Sequence, residues 1–258
     1  MSLIIQKKIK LHRSPLDISL FNNQLYVCTK SNKLTVTDMN LKSKKFLSFK
    51  NNINRLVNDG TTLLCISNNM IFKYNSSKIH QTNVKYEISY IKKLEEEDKF
   101  LIGCKDGKVF YSSLDFKPLR YFYGSTNKIL DVCNTKDKMI SSDNKLVVTD
   151  LKTSKIKTTN IGFINCISFY NKKMILLGTD TGLFLYDTEK DKVINKFVLD
   201  SPVSCMEIIK DVILIGCENG ILHECKVIYN DLKILQKNQL AGVINFIKYI
   251  NNGIFVGK

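Results

Sequence analysis

Cys217, His223 and Cys225 stand at C-x5-H-x-C spacing, and no other three Cys and His residues in the chain lie so close together. On a strand, His223 and Cys225 would share one face, and three ligands would be on offer. A structural zinc needs four, at spacings this chain does not have, and there is no C-x-x-C pair. The cluster therefore reads as core packing, and no metal is expected. Glu95, Glu96, Glu97 and Asp98 form a run of adjacent carboxylates. It lacks the glycine and the alternating spacing of a calcium loop and reads as a solvated turn. Neither GxxxxGK[ST] nor a GxGxxG opening a helix is present. The histidines are His12, His80 and His223, and no motif sets any of them beside a serine and an aspartate. The chain thus offers no catalytic residues, no cofactor and no evident small-molecule substrate, and it reads as a non-enzyme.

The remaining chemistry is charge. Lys and Arg number 39 against 24 Asp and Glu, a formal net charge of +15. Such a balance suggests polyanionic partners, RNA among them, held mainly through phosphates. Only Arg13, Arg55 and Arg120 are arginine. Lysine acts as a point charge, whereas arginine recognises phosphate and base edges bidentately. The abundance of Lys, Asn and Ile also matches an A- and T-rich coding sequence, which accounts for part of the charge.

Along the chain one unit recurs: an apolar run, a small residue, a tight turn and a second apolar run with a polar stop. Leu101–Gly107, Leu176–Gly182 and Leu214–Gly220 are plain copies. Lys33, Met70 and Lys145 hold the turn's last position in three degenerate ones. A period of about 37–38 residues built from strand-sized pieces marks a propeller-type array. Asp106-Gly107 and Asn219-Gly220 are hairpin signals, since glycine accepts the positive φ of a tight turn. Further short apolar stretches precede each hairpin: Ile53–Val57, Ile88–Ile91, Ile129–Val132, Ile164–Phe169 and Val203–Ile208. A more polar one follows, as at Val193–Val198. Each repeat then has four strands, a to d from axis to rim. Asp38, Asn75, Asp150 and Asp187 are the polar stops of strand c. The eight cysteines fall within strands and read as buried free thiols of a reducing, intracellular compartment. Met1–Lys10 is too short for a signal-peptide core, and no apolar run is long enough to span a membrane.

Gly-x-x-x-Gly hairpins with Tyr186-Asp187, Thr37-Asp38 and Thr149-Asp150 where others have Trp-Asp make this chain similar to the WD-repeat β-propeller family. It departs in having no tryptophan and no Gly-His before strand a. The hydrogen-bonded tetrad of family blades is therefore not expected, and apolar packing must carry more of the stability. The resemblance implies an all-β fold: one seven-bladed propeller over residues 1–258. Val243–Tyr249 and Gly253–Gly257 would supply strands a and b of the last blade. Leu3–Leu11 would close it, leaving it one strand short. The FRRG motif of lipid-binding propellers is absent. Val203–Met206 and Gly220–Asn230 resemble a blade of the nucleolar family called WD-repeat-containing protein fifty-five. That resemblance implies a scaffold in ribosome biogenesis and rRNA maturation, in the nucleus or nucleolus. Vesicle-coat or nuclear-pore scaffolds and ubiquitin-ligase substrate adaptors are the alternatives.

On this frame the c–d turns and outer strands collect Lys42, Lys44, Lys45, Lys152, Lys155, Lys157, Lys190 and Lys192. These form the candidate surface for RNA, a pre-ribosomal particle or another protein of a multi-subunit assembly. The b–c tips, with Asp106, Asp143, Asp180 and Glu218, are mixed in charge. Solvated outer strands also need charge against edge pairing. Removal of residues 1–12 is expected to lower the melting temperature by roughly 5 °C or more. An unchanged melting temperature would refute closure by the N-terminal strand.

Overall fold

The computed structural model describes residues 8–11, 13–42, 44–94, 98–123, 127–135 and 137–258. Six antiparallel four-stranded sheets, each a simple meander, follow one another along the chain. Blade one is β1 (Pro15–Phe21), β2 (Gln24–Thr29), β3 (Lys33–Asp38) and β4 (Lys45–Ser48). Blade two is β5 (Arg55–Asn58), β6 (Leu63–Ser67), β7 (Met70–Tyr74) and β8 (Ile79–Asn83). Blade three is β9 (Ile88–Leu94), β10 (Lys99–Cys104), β11 (Lys108–Ser113) and β12 (Pro118–Tyr123). Blade four is β13 (Asp131–Asn134), β14 (Lys138–Ser142), β15 (Leu146–Asp150) and β16 (Ile156–Thr159). Blade five is β17 (Ile164–Phe169), β18 (Met174–Thr179), β19 (Gly182–Asp187) and β20 (Lys192–Val198). Blade six is β21 (Val203–Ile209), β22 (Val212–Cys217), β23 (Ile221–Ile228) and β24 (Asp231–Gln239). A two-stranded sheet, β25 (Phe246–Ile250) and β26 (Gly253–Gly257), follows. The fold is an all-β propeller.

The expected seventh four-stranded blade is thus corrected: six blades are complete, and the seventh position holds strands a and b alone among the described residues. Of the expected closing segment Leu3–Leu11, residues 3–7 lie outside the described residues, and Lys8–Leu11 form no strand. The two-stranded sheet holds its place because both its faces are covered. Ile247, Ile254 and Val256 pack with Leu214 and Leu222 of blade six. Phe246, Ile250 and Phe255 pack with Ile18, Leu25 and Val27 of blade one, where Leu11 also lies. Lys248 completes this seam, its Nζ 2.5 Å from buried Asp17 and donating to the Ile18 carbonyl at 2.8 Å.

From blade two to the two-stranded sheet, one aliphatic residue at the entrance of each sheet joins it to the blade before. Ile53, Ile88, Ile129, Ile164, Val203 and Ile244 are all buried. Except for Val203, each donates its backbone N–H to a carbonyl at the preceding b–c turn, at 2.9–3.4 Å: Ser31, Asn68, Cys104, Asp143 and Cys217. At Ile129, Val203 and Ile244 the side chain also reaches the preceding strand b. A methyl group added at Gly103, Gly178 or Gly216 would lie 2.6 Å from Ile129, Val203 or Ile244 respectively. The small residue of the repeat is therefore a socket. The turn glycines have another reason: Gly107 and Gly220 sit at φ +83° and +82°. The eight thiols are free, seven of them buried and Cys205 half-buried. No helix of the described residues is long and apolar enough to cross a membrane.

Gly178→Ala would press a Cβ to 2.5 Å from Cys166 Sγ as well as onto Val203. Overpacking of this kind costs about 1–3 kcal/mol. A urea titration should show a lower midpoint, and Gly182→Ala, where the Cβ would meet the Phe197 carbonyl at 2.2 Å, should lower it further.

Candidate nucleic-acid interface

The polar stops of strand c close the c–d turns. Asp38 accepts from the Lys42 N–H, Asn75 from Ser77 and Lys78, Asp150 from Lys152 and Thr153, and Asp187 from Glu189 and Lys190. Backbone N–H groups, from Thr153 and Lys190 foremost, hold the Asp150 and Asp187 carboxyls below the usual range. In these turns Leu41, Ser76, Ser154 and Asp191 each take a left-handed conformation, as Phe116 does in blade three. The lysines of the turns are thereby fixed on one side of the ring.

All eight candidate lysines are exposed. Lys42, Lys44 and Lys45 belong to blade one, with Lys44 Nζ donating to the Lys10 carbonyl at 2.6 Å. Blades two and three separate them from the others, so the candidate set divides. Lys152, Lys155 and Lys157 of blade four do meet Lys190 and Lys192 of blade five: Lys157 Nζ donates to the carbonyl of Asp191, between those two lysines, at 2.7 Å. Lys152 pairs with Asp137 at 2.7 Å across exposed side chains, a contact worth little in water. Lys190 lies 4.0 Å from Asp187.

That link is one of a series which sequence reasoning did not find. Lys73 of blade two donates to Leu114 of blade three at 3.2 Å, and Arg120 of blade three to Leu151 of blade four at 2.6 Å. Asn195 of blade five donates to Asn230 of blade six at 2.8 Å. From blade two to blade six, then, a donor of each blade holds the c–d turn of the next. The signal available in sequence was a basic or amide residue on strand c or d, too common to single out.

On the b–c side, Asp143 is buried, accepting from the Lys145 N–H at 2.7 Å and from Asn127 at 3.1 Å. Lys105–Glu87 and Lys108–Asp106 pair nearby at 3.0 and 2.6 Å. Beside the inner strands a cavity of about 290 Å³ is lined by Arg55, Lys128 and Glu218 together with small polar residues, Leu130 and Val243. Arg55 lies 5.9 Å from the Tyr90 ring. Half-buried Asp131 accepts from Val132 and, across to blade five, Ile167, while desolvation pushes its carboxyl up. Asp17 makes the same bridge from blade one to Leu56 of blade two. Asp17, Arg55, Tyr90 and Asp131 all stand two residues beyond the first residue of the inner segment, a regularity that was open to sequence reading.

The Cys217, His223 and Cys225 group is buried. Burial pushes Cys217 up to about 11 and Cys225 up to about 12, so neither is a thiolate at neutral pH. Burial, then neighbouring Lys237, holds His223 below its ordinary value, and its Nδ1 has no hydrogen-bond partner. Among the described residues no group of His, Cys, Asp or Glu is placed to hold a metal ion. Glu95–Glu97 lie outside the described residues.

No protein-family model matches the chain, and no curated protein matches it. Solved structures do. U3-55K is 12% identical with a TM-score of 0.79, over 96% of this chain and 90% of that one. A chain of the mitotic checkpoint complex is 11% identical with a TM-score of 0.74, over 91% and 82%. The computationally designed protein Ika8 is 10% identical with a TM-score of 0.71, over 96% and 94%. At such identities the likeness is one of fold.

His223 takes up a proton less readily in the folded protein than in the unfolded chain, because burial disfavours its charged form. Its contribution to stability is full above the unfolded pKa of about 6.5 and is lost as pH falls below it. The urea midpoint should drop between pH 7.5 and 5.5, and His223→Gln should reduce that drop. An equal drop in both proteins would refute the assignment.

Proposed function

We propose that this chain is a non-enzymatic interaction scaffold of WD-repeat type, one body over residues 1–258, acting in ribosome biogenesis and rRNA maturation. Its c–d side contacts RNA or a ribonucleoprotein particle. The observation that carries the reading is the set Lys152, Lys155, Lys157, Lys190 and Lys192, exposed across two adjoining blades of a chain with net charge +15. Lysines held by their backbones on one side present several phosphate contacts at once. The likeness to U3-55K supports the fold on which this rests. The nucleus or nucleolus is the compartment the reading calls for.

A second reading draws on the seventh sheet, which has two strands among the described residues. A propeller of this kind suits a vesicle-coat or nuclear-pore scaffold whose partner adds strands. Affinity purification from the native cell separates the two readings: pre-ribosomal proteins and RNA support the first, coat or pore subunits the second.

The direct test is the triple variant Lys152→Glu, Lys155→Glu, Lys157→Glu, titrated with labelled RNA at several salt concentrations. Affinity should fall at least about tenfold, and the slope of log affinity against log salt should shrink by about two. Unchanged affinity in a variant of unchanged melting temperature would overturn the surface assignment.

A further inference from the structure

Blade six breaks the pattern of the c–d turns. Its strands β23 and β24 form the longest hairpin of the ring, with 8 and 9 residues. Ile228 pairs with Asp231, so the turn is just Tyr229-Asn230, with no Asx closure. Both residues are left-handed, at φ +52° and +63°. Asparagine tolerates that conformation, whereas a tyrosine there is strained. The Tyr229 side chain is 100% exposed, so no packing within the chain compensates for the strain.

The tip is nevertheless held in place. Asn195 of blade five donates to the Asn230 carbonyl at 2.8 Å, and Tyr170 of blade five donates to the Val227 carbonyl at 3.2 Å. Below the tip Lys226 and Lys233 face each other across the hairpin. Like charges so placed are unfavourable, and Asp211, 2.5 Å from Lys226, is the anion at hand. Asn195 stands on β20, the strand that Lys192 begins. The lysines of blades four and five therefore run on into this hairpin, one blade further round.

We propose that Tyr229 is a base-stacking platform at the end of the basic arc, and that the ligand of this side is single-stranded RNA. The inference rests on the RNA-contact reading above and adds the substrate class. A positively charged track with an exposed aromatic ring is what a flexible strand with unstacked bases can use. A duplex keeps its bases stacked and can use the lysines alone. The backbone strain at the tip is a cost to the free protein that a stacked base would offset.

The test uses the full chain with a labelled unstructured oligouridine and a labelled RNA duplex of equal length. Tyr229→Ala should weaken oligouridine binding by about tenfold, with duplex binding and both salt slopes unchanged. Tyr229→Phe should retain wild-type affinity. Tyr229→Asn suits the left-handed backbone, so it should melt no lower than wild type and still lose oligouridine affinity. Oligouridine affinity unchanged in Tyr229→Ala while the lysine triple variant loses it would overturn the stacking site and leave the RNA reading standing. Affinity unchanged in both would overturn both. Loss of a co-purifying protein from Tyr229→Ala with oligouridine affinity intact would assign the tip to a protein interface and overturn the proposal.

Discussion

The ring depends on how one aliphatic residue enters each blade. The residue is buried at all six junctions from blade two to the two-stranded sheet, and at five of the six its backbone N–H is bonded to a carbonyl of the preceding b–c turn. A sheet of four strands cannot bury both faces alone. Here the same residue that starts a new sheet anchors it on the old one, so no blade is placed independently of its predecessor. Where the entering side chain comes closest, the partner position is Gly103, Gly178 or Gly216. No tryptophan is needed for this: the blade interfaces are built from Ile, Leu, Val, Phe and buried thiols.

The parts of this design visible in sequence are those enforced by single residues or short runs. Glycine at φ > 0 marked the b–c turns of blades three and six. The period then located strand c even where Lys33, Met70 and Lys145 replace glycine: the strands begin at Lys33, Met70 and Leu146. The stretches Ile164–Phe169 and Gly253–Gly257 coincide with strands, whereas Ile53–Val57 begins two residues early. The reason is physical: Ile53 bonds to the neighbouring blade, outside its own ladder. What stayed hidden depends on ring geometry. The donor of each c–d link is an ordinary Lys, Arg or Asn until the next blade is placed beside it. Asp143 reads as one of the b–c tip acids, and its burial is visible only in the fold. The candidate lysines read as one group, and the ring separates Lys42, Lys44 and Lys45 from the others. Tyr229 gave no turn signal, because tyrosine is a poor residue for the turn it occupies.

Carboxylates do the same two jobs on both sides of the ring. Asp143 on the b–c side and Asp150 and Asp187 on the c–d side accept from backbone N–H groups and so close their turns. Ion pairs form on both sides as well: Lys105–Glu87 and Lys108–Asp106 on the first, Lys152–Asp137 and Lys138–Asp191 on the second.

The seam between Lys248 and blade one joins positions 230 residues apart. Contacts within each meander are local and can form as the chain emerges during synthesis. The seam cannot, since its two halves are the first blade and the last sheet. Until Lys248 arrives, Asp17 is a carboxylate without its cation at an unfinished edge. Ring closure is consequently the step in which the largest loop is closed at once. It is also the stage at which a half-made ring most needs protection from pairing with another chain.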